Sequence, residues 1–276
     1  MNCFKYMSKL ISILLLGGCF ITCKKTNIYE FESISFRYFA RKANYMWADN
    51  LRCEILTIGP VTGPKYSALK SAPNVKFSEY MLGFSTCNVD VPDIPDSRYQ
   101  EFFNSDRYDP LWNAPHMAFH PSENPMTDES DPVIETRLKQ HLEKGKTRSV
   151  SSLPAAQVVG IDYRITPLTG LKITCSHDLF GKKAGEELNE YFKITGYPDY
   201  HDFIITANKN LVSGQTRDIS ITQYLSYAPM APAAMYFVFK KGVTLPAATT
   251  VEFTIELTIE EGKTISATTR PITLTP

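Results

Sequence analysis

The stretch VEFTIELTIE, residues 251–260, alternates strictly between apolar and polar residues. This period of two places the apolar side chains on one face of an extended strand, whereas a helix would scatter them around its axis. Glu261 and Gly262 form a turn after the stretch, and residues 264–268 begin a returning strand. The C-terminal region therefore predicts a β hairpin that buries the apolar face formed by Val251, Phe253, Ile255, Leu257 and Ile259.

Strand patterns recur on both sides of the middle of the chain. Residues 235–239 form a continuous apolar run that is typical of a central strand, and residues 159–165 and 170–175 alternate. Nearer the N-terminus, residues 34–40, 51–58, 75–81 and 83–89 show strand patterns, and residues 203–206 and 219–221 predict two further short strands. We predict a mainly β fold, an immunoglobulin-like antiparallel β-sandwich assembled from residues 29–89 and 158–276.

Residues 90–157 differ from the flanking regions. Residues 90–150 contain seven of the 18 prolines and twelve acidic residues, so we predict a long Pro-rich acidic insertion here. One helix is expected inside this insertion. Asp131 is its N-terminal cap, Pro132 is its first residue and Gly145 marks its end. The apolar stripe of this helix consists of Ile134, Leu138 and Leu142. A second short helix is predicted over residues 184–192.

The N-terminus carries the stretch LLLGGC, residues 14–19, which resembles the lipobox of bacterial lipoproteins. Lys5 and Lys9 precede a short apolar run, as in an export signal, and that run is shorter than the roughly 20 residues that span a bilayer. We predict a signal peptide over residues 1–18, a lipid on Cys19 and a tether over residues 19–28. Cys23, followed by two lysines, is the alternative lipid attachment site.

Three segments extend this resemblance to the rest of the chain: LKIT at 171–174, AGEELNEYF at 184–192 and VEFTI at 251–255. With the lipobox, the span from Ile161 onward resembles an uncharacterised family of Bacteroidota-type lipoproteins. The resemblance implies a lipid-anchored protein of the cell envelope, at the outer membrane, with no assigned activity. It carries over no catalytic residue, and it leaves open whether the protein faces the periplasm or the cell surface.

The charge balance argues against nucleic acid as a partner. The predicted signal peptide contains two lysines and no acidic residue. Its removal leaves a mature chain with 27 basic and 29 acidic residues, a formal charge of −2. No basic stripe alternates with aromatic residues, so electrostatic attraction to phosphates is absent. The 43% hydrophobic and 21% charged content are typical of a folded globular protein.

The cysteines that lie beyond the N-terminal region, Cys53, Cys87 and Cys175, are widely spaced. Cys53 and Cys87 lie in neighbouring strand-like runs, and we predict them as a disulfide because an exported chain often meets an oxidising compartment. The alternative is that they are buried free thiols. The spacing contains no C-x-x-C pair that would indicate zinc.

No motif in the sequence indicates catalysis, a metal or a cofactor. His116 and His120 have the i, i+4 spacing of a metal pair, but Pro115 and Pro121 leave room for barely one helical turn between them. There is no G-x-S-x-G elbow and no Gly-rich phosphate loop after a strand. We therefore predict a protein that is not an enzyme.

Aromatic residues are frequent in the acidic insertion. Tyr99, Tyr108 and Trp112 are candidates for stacking on sugar rings, with carboxylates nearby to accept hydroxyl hydrogen bonds. The alternative is that these rings pin the insertion onto the sandwich. Two hypotheses follow: a structural or assembly component that binds an envelope protein, which we favour, and a lipid-tethered glycan-binding module of a nutrient uptake system.

Overall fold

The computed structural model describes residues 35–58, 61–68, 74–88, 127–145, 158–196, 203–214 and 218–276. The fold presented below is that of the unit formed by Phe36–Thr147 and Val159–Pro276, which contains all the described residues except Ser35 and Val158.

The described residues are mainly β, as predicted, and all but one of the strand pairs with a defined register are antiparallel. The strands are β1 (Ser35–Arg41), β2 (Tyr45–Ile58), β3 (Val61–Ala68), β4 (Asn74–Lys76), β5 (Tyr80–Cys87), β6 (Val158–Arg164), β7 (Leu168–Cys175), β8 (Phe192–Gly196), β9 (Phe203–Ile205), β10 (Leu211–Ser213), β11 (Ile219–Ser220), β12 (Ala234–Phe239), β13 (Thr249–Val251), β14 (Phe253–Ile259), β15 (Thr264–Thr268) and β16 (Ile272–Thr275). The helices are α1 (Pro132–Gly145) and α2 (Ile221–Ser226).

The largest sheet has six strands in the order β11-β8-β12-β5-β2-β3. β12 pairs with β5 and β8, so strands from the beginning and the end of the chain lie side by side. All eight residues of β5 are buried, since it lies in the interior of this sheet. This interleaving makes the sheet depend on contacts between residues that are far apart in sequence.

The strand predicted from the alternating C-terminal stretch is β14, the centre of the three-stranded sheet β15-β14-β7. Its burial alternates strictly along Phe253–Ile259, with each apolar residue buried and each polar residue between them partly exposed. β15 returns beside it after a turn at Glu260–Gly262, with Leu257 opposite Ile265. The predicted hairpin is confirmed.

The six-stranded and three-stranded sheets pack against each other through one hydrophobic core. Phe253 of β14 is fully buried, and its ring centroid lies 5.5 Å from that of Tyr80 on β5 and 5.8 Å from that of Phe192 on β8. Aromatic pairs at these separations stabilise the fold beyond the contribution of the apolar area that they bury. Two sheets face to face over a shared core form a β-sandwich.

Three smaller sheets complete the architecture. β16 lies between β13 and β4, and its pairing with β4 is parallel. β9 pairs with β10, and β1 pairs with β6.

The helix predicted over the end of the insertion is confirmed as α1. Ile134 and Leu138 are fully buried and Leu142 packs beside them, so the predicted apolar stripe is the face that contacts the protein. Asp131 caps the helix, since its Oδ1 accepts hydrogen bonds from the backbone N–H groups of Val133 (3.0 Å) and Ile134 (3.2 Å). These bonds satisfy donors that have no partner within a helix.

The cap of α1 predicts a pH dependence of stability. Partial burial of Asp131 acts to raise its pKa, but the Lys209 ammonium and the backbone N–H groups of Ile134 and Val133 outweigh it and lower the pKa below the ordinary 3.8. A lowered folded-state pKa stabilises the fold above the unfolded-state pKa, and this contribution is lost as pH falls through the lower value. We expect Asp131→Asn, which keeps the cap, to lessen the loss of unfolding free energy below pH 3.8, as measured by urea titrations across pH. An unchanged slope would contradict this.

Three local predictions were wrong. Residues 184–192 contain no α-helix but a 3-10 turn at Asn189–Tyr191, because the backbone N–H groups of Gly185 and Leu188 donate to carbonyls of β7 instead. Residues 219–221 form two strand residues followed by α2, capped by the Ser220 hydroxyl, which accepts from the Gln223 N–H. Residues 75–81 are divided between β4, a 3-10 turn and the start of β5.

Candidate functional site

Most of the residues predicted to carry function lie outside the described residues. These are the lipid attachment candidates Cys19 and Cys23 and the aromatic residues Tyr99, Tyr108 and Trp112. His116 and His120, which the sequence does not favour as a metal pair, also lie outside the described residues. The predicted roles of these residues therefore stay predictions.

The predicted Cys53–Cys87 disulfide is wrong, because the structure holds both residues as free thiols. β2 and β5 do pair, but Cys87 lies opposite Tyr45, eight positions along β2 from Cys53. At about 3.3 Å per residue, that offset separates the two residues by about 26 Å, whereas a disulfide needs Cα atoms within about 7 Å. Neighbouring strands were predicted correctly, but their register could not be read from the cysteine spacing.

The thiols of the described cysteines are shielded from solvent. Cys87 and Cys175 are buried, and Cys53 packs partly buried beside Leu51 and Met81. Burial raises the pKa of the Cys53 and Cys175 thiols, which disfavours the reactive thiolate. The Cys175 thiol also donates a hydrogen bond to the carbonyl of His177 at 2.8 Å, so its place in the structure is fixed by burial and by this bond.

Three charged side chains form a buried cluster where β1 and β6 meet β5. Asp162 is the centre: its Oδ1 accepts from Nε of Arg41 at 3.1 Å and from Nη1 of Arg164 at 2.8 Å. The two arginines are each 1% exposed and Asp162 is 4% exposed. Charges at this depth require partners, because removal from water is costly.

Further hydrogen bonds connect this charge cluster (Arg41, Asp162 and Arg164) to the end of β5. Arg164 donates from Nε to the Thr86 hydroxyl at 2.9 Å and from Nη2 to the Thr86 carbonyl. The Thr86 hydroxyl in turn donates to the carbonyl of Pro232 at 2.6 Å. The cluster and its hydrogen bonds therefore connect four segments of chain: β1, β6, the end of β5 and the segment that contains Pro232.

A cleft adjoins the charge cluster, lined by Asp162 and Arg164 and by apolar side chains that include Phe203 and Met230. It has room for a few water molecules, well below the several hundred Å³ of a typical ligand pocket. Among the described residues, no cysteine, histidine or serine lines it. Within the described ranges, no group of histidine, cysteine, aspartate or glutamate residues is arranged to hold a metal ion.

Sequence reasoning missed the charge cluster. Asp162 and Arg164 occupy the polar positions of an alternating run, and this pattern by itself is typical of a strand face exposed to solvent. In the structure all four residues 161–164 are buried, because Ile161 and Tyr163 pack in the hydrophobic cluster that includes α1 while the charged pair contacts Arg41 and Thr86. Residues two positions apart share one face of a strand, so the opposite charges of Asp162 and Arg164 were the sequence signal that could have indicated this ion pair.

The second feature of interest is a β2–β3 arm, formed by residues 53–58 of β2 and 61–66 of β3. β5 pairs with β2 only from Tyr45 to Arg52, whereas β3 pairs with β2 from Leu51 to Ile58. Six residues of β2 thus extend past the end of β5, a distance of about 20 Å. Among the described elements, β3 makes its extensive contacts with β2 alone, while β15 and the 3-10 turn Phe77–Glu79 also lie against β2.

The two edges of the β2–β3 arm differ in their chemistry. The β3 edge includes Pro64, which has no N–H, followed by Lys65, and both residues are typical of edges protected against pairing. The β2 edge, CEILTI at 53–58, has no proline and a single charge at Glu54. In the part of the chain that the structure describes, no strand pairs with this edge. An open backbone ladder of this kind is a template for another strand.

Comparison with known proteins yields no relative: no protein-family model, no curated protein and no solved structure matches the chain. The chemistry of the described residues therefore carries the functional argument.

Proposed function

We propose that this protein is a lipid-anchored envelope lipoprotein that acts without catalysis as an assembly component, binding a protein partner through the open β2 edge of the β2–β3 arm. The observation that supports this most directly is the arm itself: β3 pairs with one edge of residues 53–58, while β5 pairs with the other edge of β2 only as far as Arg52. Strand addition supplies affinity through main-chain hydrogen bonds and needs no pocket. An unprotected edge is a liability unless a partner covers it.

Membrane attachment is the second part of the proposal, at the outer membrane of the cell envelope. The lipobox-like residues 14–19 and the resemblance to Bacteroidota-type lipoproteins support it. No helix among the described residues is long and apolar enough to cross a membrane. The immunoglobulin-like arrangement of the sandwich also belongs to this proposal, supported by the two packed sheets and the predominance of antiparallel pairs.

The anchor predicts a specific labelling result. Cys19→Ser is expected to abolish incorporation of an alkyne-labelled palmitate and to release the protein from the membrane fraction, because the modified thiol is gone. Cys23→Ser serves as the matched control and is expected to label normally. Labelling that survives Cys19→Ser and is lost in Cys23→Ser would assign the lipid to Cys23. The absence of labelling in the wild-type chain would contradict lipidation.

Site-specific photo-crosslinking in intact envelopes tests the assembly function. A photoreactive residue at position 55 or 56 of the full-length chain is expected to form protein adducts, since both positions lie in the open strand. Lys139, exposed on α1, is the control position and is expected to form none. The absence of any adduct from the β2–β3 arm would contradict the proposal.

A glycan array tests the alternative function. Saccharide binding that is lost in Trp112→Ala would establish the glycan-binding function.

A further inference from the structure

We infer that the cleft beside the charge cluster is a binding site for an ordered water molecule, which donates a hydrogen bond to Oδ2 of Asp162. The proposed function makes no use of this cleft, so the inference stands independently of it. The class of ligand that follows from the lining of the cleft is a small neutral hydrogen-bond donor.

The two oxygens of the Asp162 carboxylate have different surroundings. Oδ1 accepts hydrogen bonds from Arg41 and Arg164, at 3.1 Å and 2.8 Å, whereas Oδ2 accepts none from the residues that the structure describes. The Asp162 side chain is 2% exposed, so bulk water does not solvate it. Buried acceptors in folded proteins are hydrogen-bonded either to the protein or to ordered water. Oδ2 therefore needs a donor from outside the described chain.

The cleft provides the space for that donor. It has a volume of about 50 Å³, several times the roughly 10–15 Å³ that one water molecule needs. The cleft lies where one segment changes its partner strand: Met230 still bridges to Pro167, whereas Ala234 already pairs with Ser85 of β5. Residues 231–233 cross between these two pairings and form one wall of the cleft.

Oδ2 belongs to the wall of the cleft and is almost fully covered by its neighbours. A water molecule reaches it after a small movement of a lining side chain. Met230 is suited to this movement, since it lines the cleft and its unbranched side chain has three rotatable bonds. The apolar surfaces of Phe203 and Met230 offer a water molecule no hydrogen bond, so they leave it directed towards the carboxylate.

A buried water molecule also needs a second polar partner. Two lining residues, Met230 and Pro232, have carbonyl groups that accept hydrogen bonds from the hydroxyls of Tyr224 (3.3 Å) and Thr86 (2.6 Å). Each carbonyl oxygen has two lone pairs and can accept one further hydrogen bond. A water molecule that donates to Oδ2 and to one of these carbonyls connects β6 to the segment that leads into β12.

The charges at the cleft select a neutral ligand. A cation at Oδ2 would lie beside the Arg164 guanidinium, which contacts the same carboxylate at 2.8 Å, and like charges repel strongly away from bulk water. An anion would face a carboxylate oxygen. Over the described ranges no set of residues is arranged to hold a metal ion. Water satisfies the acceptor and adds no charge.

High-resolution crystallography of the full-length chain tests the inference. A water oxygen is expected about 2.5–3.0 Å from Oδ2 of Asp162. Crystals grown in rubidium chloride serve as the second arm, because the anomalous signal of rubidium identifies a bound cation. No rubidium peak is expected in the cleft. A rubidium ion at Oδ2, or a protein donor in the place of the water, would overturn the inference.

Nuclear magnetic resonance gives an independent measurement in solution. With methyl-labelled methionine, the methyl group of Met230 is expected to show a nuclear Overhauser effect of the sign given by long-lived water. Met235, fully buried in the main core, is the matched control and is expected to show none. Met230→Leu and Met235→Leu assign the two signals. Tyr224→Phe removes the hydroxyl that donates to the Met230 carbonyl, so an effect that persists in this variant comes from water.

The outcomes decide the inference without touching the assembly function. Water at Oδ2 in the crystal and a water signal confined to the Met230 methyl support it. A cleft without ordered water, or a Met230 methyl without the water signal, overturns it. An equal signal at Met235 would show that water enters the whole core and would also contradict a specific site. The crosslinks from positions 55 and 56 test the assembly function separately.

Discussion

Phe253→Ala is expected to lower the free energy of unfolding by about 3–5 kcal/mol, because it removes a fully buried ring from the core between the two main sheets. The centroid of the ring lies 5.5 Å from that of Tyr80, 5.8 Å from that of Phe192 and 6.3 Å from that of Phe239, so its loss leaves a cavity and removes three aromatic contacts. Urea unfolding monitored by circular dichroism measures the change.

Thr254→Ala is the matched control for this change. Thr254 is the next residue on the same strand but is partly exposed, and its hydroxyl shares a 2.9 Å hydrogen bond with that of Thr268. We expect its loss to change the free energy of unfolding by about 0.5 kcal/mol or less. Similar values for the two variants would show that the strand is not buried on one face as described.

Asp162→Asn is expected to lower the free energy of unfolding by about 3 kcal/mol. Asparagine keeps an acceptor for Arg41 and Arg164 but removes the carboxylate charge that lies within 3.1 Å of both guanidinium groups. Both buried guanidinium groups then lose the carboxylate that they contact, and the loss of a partner charge is costly for groups removed from water. Thermal and urea unfolding at neutral pH provide the measurement.

Asp178→Asn distinguishes the effect of burial from that of losing an ion pair. Asp178 forms a 2.7 Å ion pair with Lys183, as short as the pairs of the charge cluster, but both side chains are exposed. Water and salt screen such pairs, so we expect its stability to match that of the wild type within experimental error. Equal losses in the two variants would contradict the assignment of the charge cluster as a buried structural element.

Helix α1 could be predicted from sequence because its signals are local. Asp131, Pro132 and the stripe of Ile134 and Leu138 all lie within one segment, and each acts through neighbours one or two turns away. The segment 184–192 carried similar signals but did not form an α-helix. The backbone N–H groups of Gly185 and Leu188 donate hydrogen bonds to carbonyl groups of β7. These donors are therefore not available for hydrogen bonds within a helix.

The candidate sites were less predictable than the secondary structure. Asp162, Arg164 and Arg41 come together only when β1 and β6 pair and meet β5, and residues 41 and 162 are 121 positions apart. The open edge of the β2–β3 arm likewise depends on where β5 stops pairing with β2, which is a property of register. Neither feature leaves a pattern within a single segment.

The sequence by itself determined the mainly β class, the alternating strand β14 and helix α1, since side-chain period and capping are properties of consecutive residues. Only the tertiary structure decided which strands are neighbours, in what register, and therefore that Cys53 and Cys87 stay apart while Arg41, Asp162 and Arg164 meet. The physical reason is that register between distant strands follows from the packing of the whole core and from the backbone pairs it permits. Those contacts exist only once the chain has folded.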